Sequence, residues 1–280
     1  MEACCAAPAS RKKVVIAGFG DSGLTTAVHL ASNKGIEIVG ITPKPCHHSA
    51  QELGGRLAQP ALWKELYLLP FETYRQLDGV RIIQGRVTRV DLDSNTVFVR
   101  TGDGQERTEE YDALLIASGC TNGFWRTTEL ESRSSLEATV QAEHDQVVAA
   151  ATVAVVGGGP SGVNAAYSIA CRFPSKAVHL FCSRDHILPT YHPWVRAVVL
   201  AKLLRRGVHV HYGHRASVKE GFTGASMTGS EPIEWSSGQP SFAADLIVWS
   251  IGRVAPNNAF IPAEILTAEG FVNVNEYLQV

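Results

Sequence analysis

Two glycine clusters carry the most specific chemistry in this 280-residue chain. Gly18-Phe-Gly20-Asp-Ser22-Gly23 follows the apolar run 14–17, and Gly157-Gly-Gly159-Pro-Ser161-Gly162 follows the apolar run 151–156. Each opens a segment with helical apolar spacing, residues 24–30 and 163–170. Strand, glycine turn and helix is the context in which this spacing binds a dinucleotide pyrophosphate. The helix N-terminus offers unpaired N–H groups and a positive dipole end to the two negative charges. The first glycine permits the tight turn, the second the approach of the pyrophosphate, and the third close helix–strand packing. Gly18, Gly20, Ser22 and Gly23, and Gly157, Gly159, Ser161 and Gly162, are therefore the candidate pyrophosphate contacts.

A ribose contact is expected some 20 residues beyond each turn, at the end of the next strand. In the first half the strand 36–41 ends in Thr42, a weaker ligand than an acid, while Glu37 lies near the wrong end. Asp21 sits in the first turn itself, where its carboxylate would repel a pyrophosphate unless it points away. In the second half the strand 178–182 runs into Ser183-Arg184. A hydroxyl and a guanidinium suit the 2′-phosphate of NADP, which arginine can bind in a charge-assisted fork; Asp185 keeps NAD open.

The elements around these clusters divide the chain into two α/β units. The first glycines of the clusters are 139 residues apart, a domain-sized interval. Between them, Ile82-Ile83 predicts a short strand, 86–100 predicts two antiparallel strands turned at Asp93-Ser-Asn95, and a second turn at Gly102-Asp-Gly104 completes a β-meander. Each unit also holds an apolar strand ending in small residues, 111–119 with Ser118 and Gly119, and 242–252 with Gly252. Residues 129–148 and 194–206 have helical patterns. The latter carries Arg196, Lys202, Arg205 and Arg206, which fits a crossover helix with a solvated face better than a membrane-surface helix. Residues 220–241 are rich in Gly and Ser and predict a β-hairpin or a mobile loop. The expected divisions are a disordered leader at 1–13, a first unit at 14–124, an inserted second unit at 125–262, and a return toward the first unit at 263–280.

Composition supports a folded protein: 45% of residues are apolar and 19% charged, far from the disorder regime. The net charge of −2 supplies no general attraction to nucleic acid or an anionic membrane. The longest apolar stretch, 147–159, is too short to span a bilayer, and residues 1–10 hold no long apolar run, so no secretory signal is expected. Six scattered cysteines without a C-x-x-C pair fit free thiols in the cytoplasm. Cys4-Cys5 followed by Arg11-Lys12-Lys13 offers the alternative of an acylated, basic contact with a membrane or lipid surface.

The two fingerprints, the two strand-to-glycine motifs and the meander between them resemble the two-dinucleotide-binding-domain flavoproteins, the pyridine nucleotide–disulfide oxidoreductase superfamily. Cys46-His47-His48-Ser-Ala-Gln and the ending Val272-Asn-Val-Asn-Glu-Tyr-Leu-Gln-Val280 are similar to the ferroptosis suppressor and apoptosis-inducing-factor-homologue branch. The resemblance implies FAD in the first unit and NAD(P)H in the second, with Thr42 at the adenosine ribose and the Val87 backbone at the adenine. It also implies hydride transfer from NAD(P)H to flavin and onward transfer to a quinone or other small acceptor. The cofactors carry that chemistry, so no protein nucleophile is required and no catalytic residue is assigned. A tailoring flavoprotein of a metabolic pathway is a variant of the same reading. The paired redox cysteines of disulfide reductases are not matched.

The chain departs from the branch at Asp21 and Thr42, at Gly54 in place of an arginine that Arg56 could replace, and at Asn164 in place of a glutamate. It ends at Val280, ahead of the branch's closing Gly-Asp motif, so the expectation is a shortened relative or an incomplete gene assignment. These departures support a second reading, a catalytically silent NADP-binding or regulatory protein that has lost stable FAD. Elsewhere, His209 and His211 share one strand face with His214 nearby, without a carboxylate or cysteine in register, and no metal site is expected. His47-His48 is open between a cofactor contact and a solvated loop. Cys120 is expected to be a structural thiol, a place near the flavin being the alternative.

Overall fold

The computed structural model describes residues 11–48, 52–122, 124–218, 222, 225–251 and 254–280, with the side chains of residues 225 and 226 excepted. Candidate Gly252 and the expected leader up to residue 10 lie outside the described residues.

In the first unit, β1 (Lys12–Ala17), α1 (Asp21–Leu30) and β2 (Ile36–Thr42) form a β–α–β crossover. The short strand β3 (His47–His48), helices α2 (Leu53–Ala58) and α3 (Pro60–Tyr67), and strand β4 (Leu68–Leu69) follow, with β3 and β4 paired antiparallel. The meander β5 (Val80–Asp91), β6 (Thr96–Thr101) and β7 (Glu106–Glu110) precedes β8 (Ala113–Ile116) and β9 (Cys120–Thr121). The sheet order is β7-β6-β5-β2-β1-β8.

Strand β5 is longer than the sequence predicted, because Ile82-Ile83 and the first meander strand are one element. Its first half pairs parallel with β2, from Ile38–Val80 to Thr42–Gln84, and its second half pairs antiparallel with β6. Gly85 stands at the changeover, where a Cβ would lie 2.5 Å from Val99 Cγ1. One strand thus belongs to both the core sheet and the meander.

The second unit contains α4 (Arg133–Ala149), β10 (Thr152–Val156), α5 (Pro160–Arg172), β11 (Ala177–Phe181), α6 (Pro193–Arg205), β12 (His209–His211), β13 (Ala225–Thr228) and β14 (Leu246–Ser250). Its sheet order is β12-β11-β10-β14-β13, parallel except for β13. Val153 and Val155 of β10 enter the core on one face, Ala154 and Val156 that on the other. A parallel sheet covered on both faces reads as an unbroken apolar run, as residues 151–156 do.

One sequence expectation is corrected here. Helix α4 begins at Arg133 and not at 129, because Ser132 caps it by accepting the Ser135 N–H at 3.1 Å. Residues 129–131 instead wall the first unit. Of the two readings of 220–241, its described residues favour the hairpin: Ile233 and Trp235 are buried, and antiparallel bridges join Ile233 to Phe242 and Trp235 to Ala216.

The chain returns through β15 (Ala255–Pro256), which pairs antiparallel with β9. Just beyond it, the Asn257 side chain donates to the Ser118 carbonyl at 3.0 Å and Val90 N–H donates to the Phe260 carbonyl at 2.9 Å. Both crossings between the units thus lie in one two-stranded ribbon. The molecule is α/β, two nested Rossmann-like units with the meander carried by the first.

Candidate functional site

The two glycine turns have the same construction. Gly18 and Gly157 adopt φ of +103° and +131°, a region that side chains disfavour. Both also lie too close to the neighbouring strand end for a Cβ, which would meet the Ala117 carbonyl beside Gly18 and the Ser250 carbonyl, at 2.6 Å, beside Gly157. The third glycines are equally constrained, since a Cβ on Gly23 would overlap the Gly18 carbonyl oxygen and one on Gly162 the Gly157 carbonyl oxygen. The middle glycines differ. Gly20 and Gly159 precede the first turns of α1 and α5, and a Cβ on either would have no heavy atom within 4 Å. Both turns therefore close tightly on the protein side and leave a cradle open at the helix N-terminus, which is the shape a pyrophosphate needs. Ser22 and Ser161 lie in the first helical turns beside these openings.

Beside the first turn is a cavity of about 690 Å³, bounded by Gly18, by Val87 and Arg100 of the meander, and by Ser118, Asn257 and Phe260. It brings Gly18, Val87 and Ser118 together from three distant stretches of chain. The β5–β6 register shifts between Val87 and Arg89, leaving Thr88 as an extra residue. Such a bulge releases main-chain groups from the ladder at the cavity wall. Ser118 donates its hydroxyl to Asn258 Oδ1 at 2.7 Å, and exposed Gly119 accepts the Asn257 N–H at 3.0 Å.

Thr42 is not part of this wall. It is buried, and its Oγ1 accepts the Lys44 N–H at 3.2 Å, while its neighbours Ile41 and Pro43 face the cavity. Lys44 is itself buried and bonds Thr127 at 2.8 Å and the Glu131 carboxylate.

The Asp21 carboxylate is engaged by a histidine. Its Oδ1 lies 2.9 Å from His47 Nε2, and His47 Nδ1 lies 2.8 Å from the Tyr74 hydroxyl. His47 and His48 form β3 and are not a loop. Burial and the nearby Lys44 and Arg56 charges push His48 down to about 4.

Arg56 does not replace the missing arginine. It is buried and forms a two-point pair with Glu143 of α4, at 2.5 and 2.9 Å. Gly54 and Asn164 prove to be one contact, in which the Gly54 N–H donates to Asn164 Oδ1 at 2.6 Å.

In the second unit Ser183 and Arg184 are exposed just beyond β11. The preceding residue, Cys182, packs under Gly158, and the Leu188 N–H donates to the Gly158 carbonyl at 2.7 Å. The strand end is thereby fastened beside the glycine turn. Asp185 is engaged by His186 at 2.5 Å, which lowers its carboxyl below the usual range.

His209 and His211 stack on His179 of the neighbouring strand, at 4.8 and 5.2 Å between ring centres. Sequence inspection missed His179 because its place depends on the β11–β12 register, which pairs it with His209. Burial, and after it the His209 and His211 charges, push His179 down to about 4. Its Nδ1 faces His211 Nε2 at 3.0 Å, and among the described residues no group of three or more His, Cys, Asp or Glu could hold a metal ion. Cys120 lies in the ribbon, paired with Pro256. The described cysteines Cys46, Cys120, Cys171 and Cys182 are free thiols.

Residues 12–280 match the pyridine nucleotide-disulphide oxidoreductase family. The chain belongs to that family. Its members are flavoprotein oxidoreductases that pair FAD with NAD(P)H. The chain is 27% identical over 288 residues to the oxidoreductase ptaL of Pestalotiopsis fici, the match covering 96% of this chain and 73% of the relative. It is 28% identical over 274 residues to ferroptosis suppressor protein 1 of Mus musculus, covering 95% and 70%. Among solved structures, reduced CoADR-RHD of Bacillus anthracis superposes with a TM-score of 0.73 at 17% identity, covering 96% of this chain and 49% of that one. The chain thus spans about half the length of that structure, and the likeness bears on the fold. No helix among the described residues is long and apolar enough to cross a membrane.

Proposed function

We propose that this chain is an FAD-dependent oxidoreductase that takes hydride from NAD(P)H and passes electrons to a quinone or another small acceptor. The observation that carries the proposal is the repeated cradle, with Gly20 and Gly159 facing open space while their flanking glycines are locked against backbone. When bound, FAD supplies the two-electron chemistry. In this reading Gly18, Gly20, Ser22, Gly23, Val87, Ser118 and Gly119 hold FAD, with the buried Thr42 acting through the strand end rather than by direct contact. Gly157, Gly159, Ser161 and Gly162 hold the NAD(P) pyrophosphate. Residues 125–262 form the inserted NAD(P) unit, flanked by 14–124 and 263–280. The test is purification of a yellow protein whose flavin absorbance bleaches on anaerobic addition of NADPH. A colourless protein that takes up no FAD would refute the reading.

NADP is favoured over NAD, because Arg184 is exposed beside the second turn while Asp185 is occupied by His186. Arg184→Ala is expected to weaken NADP binding in calorimetry and leave NAD binding unchanged. Equal affinities before and after the change would remove the 2′-phosphate contact. The same calorimetry separates a silent NADP-binding protein, which would bind NADP and no FAD. A peripheral lipid contact would rest on Cys4-Cys5 and Arg11-Lys12-Lys13. Co-sedimentation of the chain with phosphatidylserine vesicles would support it, and a chain left wholly in the supernatant would exclude it.

A further inference from the structure

An aspartate as the first residue of α1 stands where the family's chemistry requires an anion to dock. A unit negative charge several ångströms from a pyrophosphate is repulsive, and weakly screened wherever the site excludes water. In the structure that carboxylate is engaged: Asp21 Oδ1 bonds His47 Nε2, and His47 is itself held from its other side by Tyr74. His47 cannot follow Asp21 freely, because it lies in β3, which is paired to Leu69 of β4. Tyr74 packs edge-on against the same ring at 5.8 Å.

We infer that His47 is the positioning residue that makes this acidic glycine turn compatible with a dinucleotide, with Tyr74 fixing its orientation. The inference rests on the reading of the first unit as the FAD site. A carboxylate only accepts hydrogen bonds, so the Nε2 proton faces Asp21. In the neutral ring Nδ1 then accepts the Tyr74 hydroxyl proton; in the charged ring it donates to the same oxygen. The tether therefore persists in both states, and both fix the carboxylate on the His47 side of the helix. The Asp21 side chain is half exposed, and its hydrogen bond among the described residues is the one to His47. Without His47 the carboxylate is free to rotate toward the opening in front of Gly20, where beyond its chain neighbours no protein atom lies within 4 Å of the Cβ position.

The experiment measures FAD affinity of the full chain stripped of flavin, by quenching of flavin fluorescence, with melting temperature as a control. His47→Ala is expected to weaken FAD binding about tenfold or more. Asp21→Asn is expected to bind as well as the unaltered chain or better, and His47→Ala placed on Asp21→Asn to cost no further affinity. That rescue separates positioning from mere support of the fold, since a structural loss at His47 would persist without the carboxylate. Tyr74→Phe supplies the same comparison if His47→Ala does not fold, with a loss of a few-fold that again vanishes with Asp21→Asn. Unchanged affinity in His47→Ala, or an equal loss in both backgrounds, would overturn the inference. FAD uptake by Asp21→Asn but not by the unaltered chain would overturn it too, leaving the FAD site standing. FAD uptake by neither would overturn the FAD reading and the inference together.

Discussion

Gly20 and Gly23 are three residues apart in one turn, yet replacing each by alanine has opposite expected effects. At Gly20 the backbone has φ −80° and ψ −159°, ordinary values for any residue, and beyond its chain neighbours the new methyl meets no protein atom within 4 Å. The fold loses only the preference for glycine over alanine at an N-cap, about 1 kcal/mol at most. For a chain of this size that is a fall of about 2–4 °C in melting temperature. The methyl instead occupies the cradle. Crowding of that kind costs about 1–3 kcal/mol, which is about 5- to 150-fold in FAD affinity. At Gly23 the methyl overlaps the Gly18 carbonyl oxygen and lies 3.1 Å from Ile16 Cγ2. One of these is main chain and cannot rotate away, so α1 must lift from β1. The expected cost is about 3 kcal/mol in stability, near 6–12 °C. Scanning calorimetry and flavin fluorescence on the two variants give the comparison. A Gly20→Ala protein that binds FAD normally, or melts below Gly23→Ala, would refute the assignment of the open side of the turn to the ligand.

Other variants test the contacts between the units and the meander. Gly54→Ala is expected to destabilise by about 1–3 kcal/mol. Asn164→Ala should not relieve it, because the Asn164 main-chain oxygen would still lie 2.6 Å from the new Cβ; full rescue in a urea titration would show that only the side chain matters. Glu143→Gln alone leaves the Arg56 charge buried and is expected to cost about 3–5 kcal/mol, while Arg56→Met with Glu143→Leu recovers most of it. A cost below about 1 kcal/mol for the single change would mean that water reaches the pair. Hydrogen bonds from Arg81, then Lys13, hold the Glu109 carboxyl down to about 2 despite its partial burial. A depressed carboxyl stabilises the folded state fully above its unfolded value near 4.5, and that contribution is lost as pH falls toward about 2. Urea midpoints between pH 4.5 and 2 should therefore fall less steeply in Glu109→Gln than in the unaltered chain, and equal slopes would refute the assignment.

What was legible in the sequence was whatever depends on local spacing. The two glycine turns, their apolar strands and the β-meander turned at Asp93-Ser-Asn95 are short-range patterns, and each lies where its pattern predicts. The fusion of Ile82-Ile83 into β5 was not legible, because a strand that changes partner halfway shows no break in its own residues. Arg56 looked like a free cation for a phosphate, since nothing nearby in sequence pairs with it; its partner Glu143 is 87 residues away.

The same reason explains why the departures from the family pattern looked like independent losses. Gly54 and Asn164, 110 residues apart, are one packing contact: the absent side chain at 54 is the space that the Asn164 amide fills. Asp21 and His47, 26 residues apart, are one hydrogen-bonded pair. A departure whose partner lies far off in the chain looks like a defect when it is weighed alone, and only the distance in space shows the pairing. Counted by contacts, Asp21 is paired with His47 and Gly54 with Asn164. The second contact fits the two residues to each other but supplies no cation where the arginine is missing, and the Thr42 hydroxyl is turned to the Lys44 N–H. The ribose position is open to a direct test, in which the affinity of the stripped chain for FAD is compared with that of Thr42→Asp. A large gain would show that the ribose contact is what this chain lacks. No gain would show that the meander wall and the glycine turn suffice.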